Sequence, residues 1–275
     1  MTIALAERPR HPAVAPTLLA LTEIAADVPM AAVDSRQLDL AVRLAVLLKR
    51  PIGFIDDVHC RIATLEAAQV RAIATHPAFR APINRTVADH IGVAATDIDT
   101  AMLSRLASSP RSRLAVMFVT APIEEVRQVA WMLAAAVLSR PIRGLVLKTD
   151  RELAREILGA EGFDVATHEA PVLHPALCEL DARSGKGSPG KASLFAIDGD
   201  PDGTREQIMG FGLQIAGRFL DASEPVLGNL FSLRLPPSAN YSGRDHSVKP
   251  FGEVHCQQVV KFIRRRQPSW SAITG

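Results

Sequence analysis

Apolar positions recur at helical rather than alternating spacing along most of this chain, and prolines, glycines and capping residues cut the pattern into segments. TLLALTEIAADV, residues 17–28, reads as a helix that ends at Pro29. Asp34 or Ser35 then offers an N-cap for RQLDLAVRLAVLLK, which runs to Pro51. In that helix Leu38, Ala41, Ala45 and Leu48 share one face and Leu40, Leu44 and Leu47 another, which predicts cover on more than one side, with Arg36, Asp39 and Arg43 left for solvent. IGFIDDVHCRI, residues 52–62, reads as a short helix; Thr64 is placed to cap LEAAQVRAIAT, which stops at His76 and Pro77. A further helix is expected from Ile83 to Ile91 with Gly92 closing it, and Thr96 is placed to cap DIDTAMLSRLA.

The stretch 109–159 carries the densest agreement of signals and reads as the buried centre. Ser109 followed by Pro110 starts a helix, because proline at the first helical position gives up only a donor that was already unpaired. Pro122 repeats the device. Behind it Ile123, Val126, Ala130, Leu133 and Val137 follow the helical period, and Val129, Met132 and Ala136 widen the apolar surface. Glu124 and Glu125 in the first turn and Arg140 past the last match the helix dipole. IRGLVLK, residues 142–148, is too short for periodicity to choose between a short helix and an extended connector. Thr149 with Glu152 spells a capping box for DRELAREIL, and Gly159 supplies a stop.

A helix is expected over about 163–169, and Pro175 opens another through Leu180. Residues 183–203, RSGKGSPGKASLFAIDGDPDG, then concentrate glycine, serine, lysine and aspartate around Leu194 to Ile197, as a linker or long loop with room for a short strand or hairpin. Thr204 and Gln207 make a second capping box, followed by Ile208, Phe211, Ile215 and Phe219 at helical spacing. Gly210, Gly212 and Gly217 weaken that helix, which predicts close approach of a neighbouring backbone. Pro225 starts VLGNLFSLRL, stopped by Pro236 and Pro237, and the last helix spans Glu253 to Arg266 with Pro268 beyond it. The expected architecture is all-α: a multi-helix orthogonal bundle with one long loop rich in Gly, Ser and Asp. Its parts are a flexible 1–15, a main helical domain over 16–182, the loop 183–203, and a C-terminal helical segment 204–275 packed on the main domain.

Composition changes this picture in two ways. Aromatic residues make up only 5% of a chain that is 48% hydrophobic, so the core is built from Ala, Leu, Val and Ile, which favours close helix packing. Net charge is +2, from 31 basic and 29 acidic side chains, so any case for nucleic acid must rest on a local patch. Cys60, Cys178 and Cys256 are few, odd in number and far apart, which fits a reducing compartment and not a disulfide framework. The N-terminus has no apolar run of signal-peptide length, and the longest such run, Val129 to Leu138, falls far short of the roughly 20 residues that span a bilayer. A cytoplasmic location without direct membrane insertion is expected.

Candidate chemistry stays incomplete throughout. GKGSPGKA, residues 185–192, imitates a phosphate-binding loop, but Ala192 stands where a hydroxyl must hold magnesium. Ser188 and Lys191 have S-x-x-K spacing without the partner motifs of an acyl-transfer site. Asp198, Asp200, Asp202 and Gly203 resemble the start of a calcium loop whose twelfth position is Met209, which cannot supply the bidentate carboxylate; an acidic turn capping the next helix is the better reading. His59 adjoins Cys60, His255 adjoins Cys256, and His174 lies four residues before Cys178, so zinc would need convergence through folding. An enzyme or metal site around His168, His174 and Cys178 is one alternative. Lys261, Arg264 and Arg265 share a face, joined by Arg266 with Phe262 and Trp270 nearby. That group is a candidate partner-binding surface, and a regulatory nucleic-acid-binding module is the other alternative, against the plainer reading of cations matching a helix C-terminus. No cofactor is implied.

Three stretches, VAWMLAAAVL, PIRGLVLKTDRELAREILG and GNLFSLRLPP, resemble the SctK/YscK (NolU-like) family of bacterial type III secretion accessory proteins. They cover about a seventh of the chain. The resemblance implies a helical, non-enzymatic cytosolic scaffold of the sorting platform, bridging the cytosolic domain of an inner-membrane ring protein to an SctQ-type pod protein. It would place the chain peripherally at the inner membrane through those protein partners. No residue roles come with the resemblance.

Overall fold

The computed structural model describes residues 35–93, 100–180, 200–236 and 251–274. Among them every regular element is helical, and the one pairing of extended backbone is an isolated bridge between Ile62 and Leu65. The all-α expectation holds. The helix expected over residues 17–28, the cap expected at Thr96, the phosphate-loop imitation at 185–192 and the strand expected near 194–197 lie outside the described residues.

Two consecutive helices organise the core. α1 is Ser35–Lys49, α2 Ala67–Thr75, α3 Pro77–His90 and α4 Thr100–Ser108; the first central helix, α5, is Pro110–Thr120 and the second, α6, is Ile123–Val137. Ser109 caps α5 by accepting from the Ser112 N–H at 3.3 Å, with Pro110 in the first turn as its sequence requires. Every residue of α5 from Leu114 to Thr120 is buried, so the helix is covered on all sides, and it contacts α1 and α4. α6 is buried without interruption from Met132 to Val137. Behind it come α7 (Ser139–Arg143) and α8 (Lys148–Asp164), a π-turn over Val165–Glu169, then the one-turn helices α9 (Ala170–Leu173) and α10 (Pro175–Cys178). The chain resumes with α11 (Pro201–Ser223), α12 (Pro225–Ser232), α13 (Glu253–Arg266) and α14 (Pro268–Thr274).

The segment after residue 200 closes the same core. α11 packs against α6 and meets its backbone at Gly212, where a Cβ would stand 2.0 Å from the Ala130 carbonyl oxygen. The scarce aromatics meet at one place. Phe118 of α5 contacts Phe219 of α11 at 5.8 Å, Phe231 of α12 at 6.2 Å and Trp270 of α14 at 5.2 Å between ring centroids, the last two edge-on. Trp270 also donates its indole N–H to Glu125 on α6 at 2.8 Å.

Several local expectations are corrected. Residues 52–62 are not one helix: two 3₁₀ turns, Pro51–Gly53 and Asp57–Cys60, are separated because Asp56 is extended and accepts from the Val58 N–H. Thr64 does not cap α2; Glu66 is the N-cap, and Gln69 accepts from its N–H at 2.9 Å. α3 begins at Pro77, six residues before the expected Ile83, with Pro82 inside it, while Gly92 does take the left-handed φ of +72°. The capping box at Thr149 does not form, because α8 starts one residue before it at Lys148, and Glu152 lies 3.6 Å from the Lys148 ammonium instead. Gly159 breaks the rod with φ +74° before helix resumes, and the Trp131 indole donates to the Leu158 carbonyl at that break. Thr204 is likewise inside α11. The N-cap is Asp200, which accepts from the Asp202 and Gly203 N–H groups, so the acidic turn is a helix cap and the helix reaches back into the expected loop. Residues 142–143 end α7, 144–147 form a turn and short non-helical link, and Lys148 opens α8.

A smaller apolar cluster, Ile52, Ile55, Cys60, Ala67, Val70 and Val87, lies beneath α2 and α3. It joins the main core at Ile91 and at Leu233, whose carbonyl accepts from the Asp56 N–H at 2.9 Å. Among the described residues no helix is long and apolar enough to cross a membrane.

Candidate functional site

The C-terminal basic run is built as expected on α13, but the fold spends most of it internally. Arg266 reaches Glu169 at close range and Glu161 at 3.2 Å. Arg265 lies 3.4 Å from Glu169 and stays largely exposed, and Arg264 donates to the Thr274 carbonyl at 3.1 Å. Trp270 is fully buried, which corrects its assignment to a partner-binding surface: the ring is held by Phe118 and Glu125. Lys261 is the exposed cation of the group that is left. What the run achieves is attachment of α13 to the π-turn, since Glu169, with a side chain only 8% exposed, collects two guanidinium groups.

His168, His174 and Cys178 do not converge. His168 is exposed and lies 3.1 Å from Asp164, one turn back on its own helix. His174 is buried where α9, α10 and α13 meet: Nδ1 is 3.1 Å from Gln258 Oε1, the ring stands edge-on to Phe262, and Nε2 is 3.7 Å from Glu169, beyond hydrogen-bond reach. Burial pushes its pKa below the usual 6.5, against the opposing pull of the Gln258 hydrogen bond and the Glu169 charge. Cys178 points elsewhere, toward the carbonyls of Ala136 at 3.6 Å and His174 at 3.7 Å. Burial raises its pKa, as it does for Cys60 and Cys256, so all three are protonated, unpaired core thiols. Among the described residues no three His, Cys, Asp or Glu side chains are grouped to hold a metal ion.

A cleft of about 580 Å³ opens at the seam between the small cluster and the main core, lined by residues 53–57, 120–124, Arg71, Arg127 and Arg234. Its charged groups serve mainly as ties. Arg71 donates to the carbonyls of Ile52 and Ile55 and to Asp57, which holds the two 3₁₀ turns against α2. Arg234, 5% exposed, donates to the carbonyls of Phe118 and Ala121 and so completes the C-terminus of α5. Burial pulls its pKa down to about 10, with Glu124 opposing, so it stays charged at neutral pH. The balance of three guanidinium groups against Asp56, Asp57 and Glu124 gives this cleft no net preference for an anion.

Exposed apolar residues gather on α1, on a face whose exposure the sequence pattern does not predict. α1 buries Leu40, Leu44 and Leu47 against the core, but its other face is open: Leu38 is 59% exposed, Val42 51% and Val46 39%. Of the second face expected to be covered, Leu48 packs on the main core and Ala41 and Ala45 are half-buried, but Leu38 is exposed, so cover on that side is only partial. The signal was present as the four-residue spacing of Leu38, Val42 and Val46, which makes a stripe separate from the buried leucines. Beside it Arg43 and Asp39 form an ion pair at 2.8 Å, so local charge on the rim is neutralised. No protein-family model, curated protein or solved structure matches this chain.

Proposed function

We propose that this chain is a non-enzymatic helical adaptor, and that it serves a bacterial type III secretion system by linking an inner-membrane ring protein to an SctQ-type pod protein on the cytosolic side. The observation that carries the adaptor reading is the stripe of Leu38, Val42 and Val46 on α1. A surface helix normally presents one apolar face, toward its own core. α1 presents two, and the outer one is rimmed by a paired Arg43 and Asp39, which matches the apolar centre and neutral polar border of a protein interface. A partner helix laid along the stripe would meet anchors one turn apart.

Support for the secretion assignment comes from the resemblance of VAWMLAAAVL, PIRGLVLKTDRELAREILG and GNLFSLRLPP to the SctK/YscK family. The first of these forms the buried part of α6, the second runs through α7 and α8, and the third contains the end of α12. The test is reconstitution with purified SctQ-type pod protein and the cytosolic domain of the ring protein. Formation of a complex containing both supports the reading; normal secretion after deletion of this protein would overturn it.

A further inference from the structure

We propose that the turn between α7 and α8 is a contact point for an anionic lipid surface. The turn is pinned at its base. Ile142 is 1% exposed, Leu145 packs against the main core, and backbone N–H groups of Gly144 and Leu145 bond back to Arg140 and Ile142. On the far side the Arg151 N–H bonds to the Leu147 carbonyl at 3.2 Å, which fixes the start of α8. Between these anchors Val146 stands 91% exposed and Leu147 59% exposed. No other large apolar side chain among the described residues is held so far out of the surface as Val146.

The charges around this tip differ from those around α1. Residues 140–148 contain Arg140, Arg143 and Lys148 and no carboxylate. Arg140 and Arg143 are exposed without an ion pair among the described residues, and Lys148, its side chain 89% exposed, has only the loose 3.6 Å approach to Glu152. Two apolar side chains on a convex turn offer far less than the roughly 1,000 Å² that a specific protein interface buries. A fluid lipid interface imposes no such requirement: apolar side chains enter the boundary between headgroups and acyl chains, while guanidinium and ammonium groups remain among the phosphates. The contact is adsorption at the surface and needs no spanning helix. It stands independently of the secretion assignment, because it rests on the turn alone.

The experiment is sedimentation of the full chain with vesicles of phosphatidylcholine, alone or containing about a quarter phosphatidylglycerol. The expected result is pelleting with the anionic vesicles at low salt, reversed by salt, and little with the neutral ones. The double variant V146S/L147S should lower partition roughly tenfold, and R140Q/R143Q/K148Q about a hundredfold, toward the value for neutral vesicles. All five substituted positions are solvent-exposed and the pinned base is left unchanged, so far-UV circular dichroism should match the parent protein in both variants. Absence of pelleting with anionic vesicles at low salt overturns the proposal and leaves the adaptor reading untouched; so does parental binding by either folded variant.

Discussion

Gly212 rests directly against the carbonyl oxygen of Ala130, at the point where the long helix α11 crosses the central helix α6. Gly210, two residues away, differs: a Cβ on Gly212 would stand 2.0 Å from that oxygen, whereas one on Gly210 would meet nothing within 4 Å. Gly212→Ala must therefore push two backbones apart, with an expected cost of about 3 kcal/mol or more. Gly210→Ala should instead stabilise by up to about 1 kcal/mol through helix propensity alone. Urea unfolding of the two variants checks the pair, and equal effects would remove the close crossing from the account.

Arg234 closes the carbonyl end of α5 from inside the protein, bonding to the Phe118 and Ala121 oxygens. Arg234→Met keeps much of the side-chain volume but leaves both oxygens without that donor. A loss of about 2–4 kcal/mol is expected in chemical denaturation. Arg234→Lys should recover only part of it, since an ammonium cannot reproduce the fork that spans two carbonyls.

The junction of α9, α10 and α13 should weaken in mild acid. His174 is buried with a folded pKa below its usual 6.5, so the unfolded chain binds the proton more readily. Its contribution is intact above that ordinary value and declines as pH falls from about 6.5 toward the lower folded value, by up to about 1.4 kcal/mol per unit of displacement. The charges facing it are Glu169, which favours protonation, and Arg265 and Lys261, which oppose it. Urea midpoints at about pH 7.5 and 5.5 should separate the parent from His174→Gln, with the parent losing more stability on acidification. Equal losses would contradict this.

Helix identity was legible because local signals agreed: Ser109 with Pro110, the spacing from Val126 to Val137, and Glu253 to Arg266 all match the observed elements. Caps were less legible where two residues competed. Thr149 and Thr204 each had a glutamate or glutamine three residues on, yet the helices begin earlier, at Lys148 and after Asp200, and both threonines lie inside. The short C-terminal helix from Pro268 was missed, and with it the reason that Trp270 is buried: its place is set by Phe118, more than a hundred residues away, which no local pattern records. The same holds for the basic run on α13, whose partners Glu161 and Glu169 come from another part of the chain. Exposure of the outer face of α1 is a tertiary fact too, since spacing defines a stripe but not whether anything covers it.

The central claim, that the outer face of α1 is a protein-docking surface, is tested most directly by binding of the purified pod protein and ring domain to the parent chain and to L38S/V42S/V46S. These side chains are exposed, so the variant should keep its helical circular dichroism and unfold near the parent midpoint. The account predicts that it loses affinity for one of the two partners by about a hundredfold, as expected when three interface anchors are truncated. Parental affinity for both partners in a folded variant would contradict it.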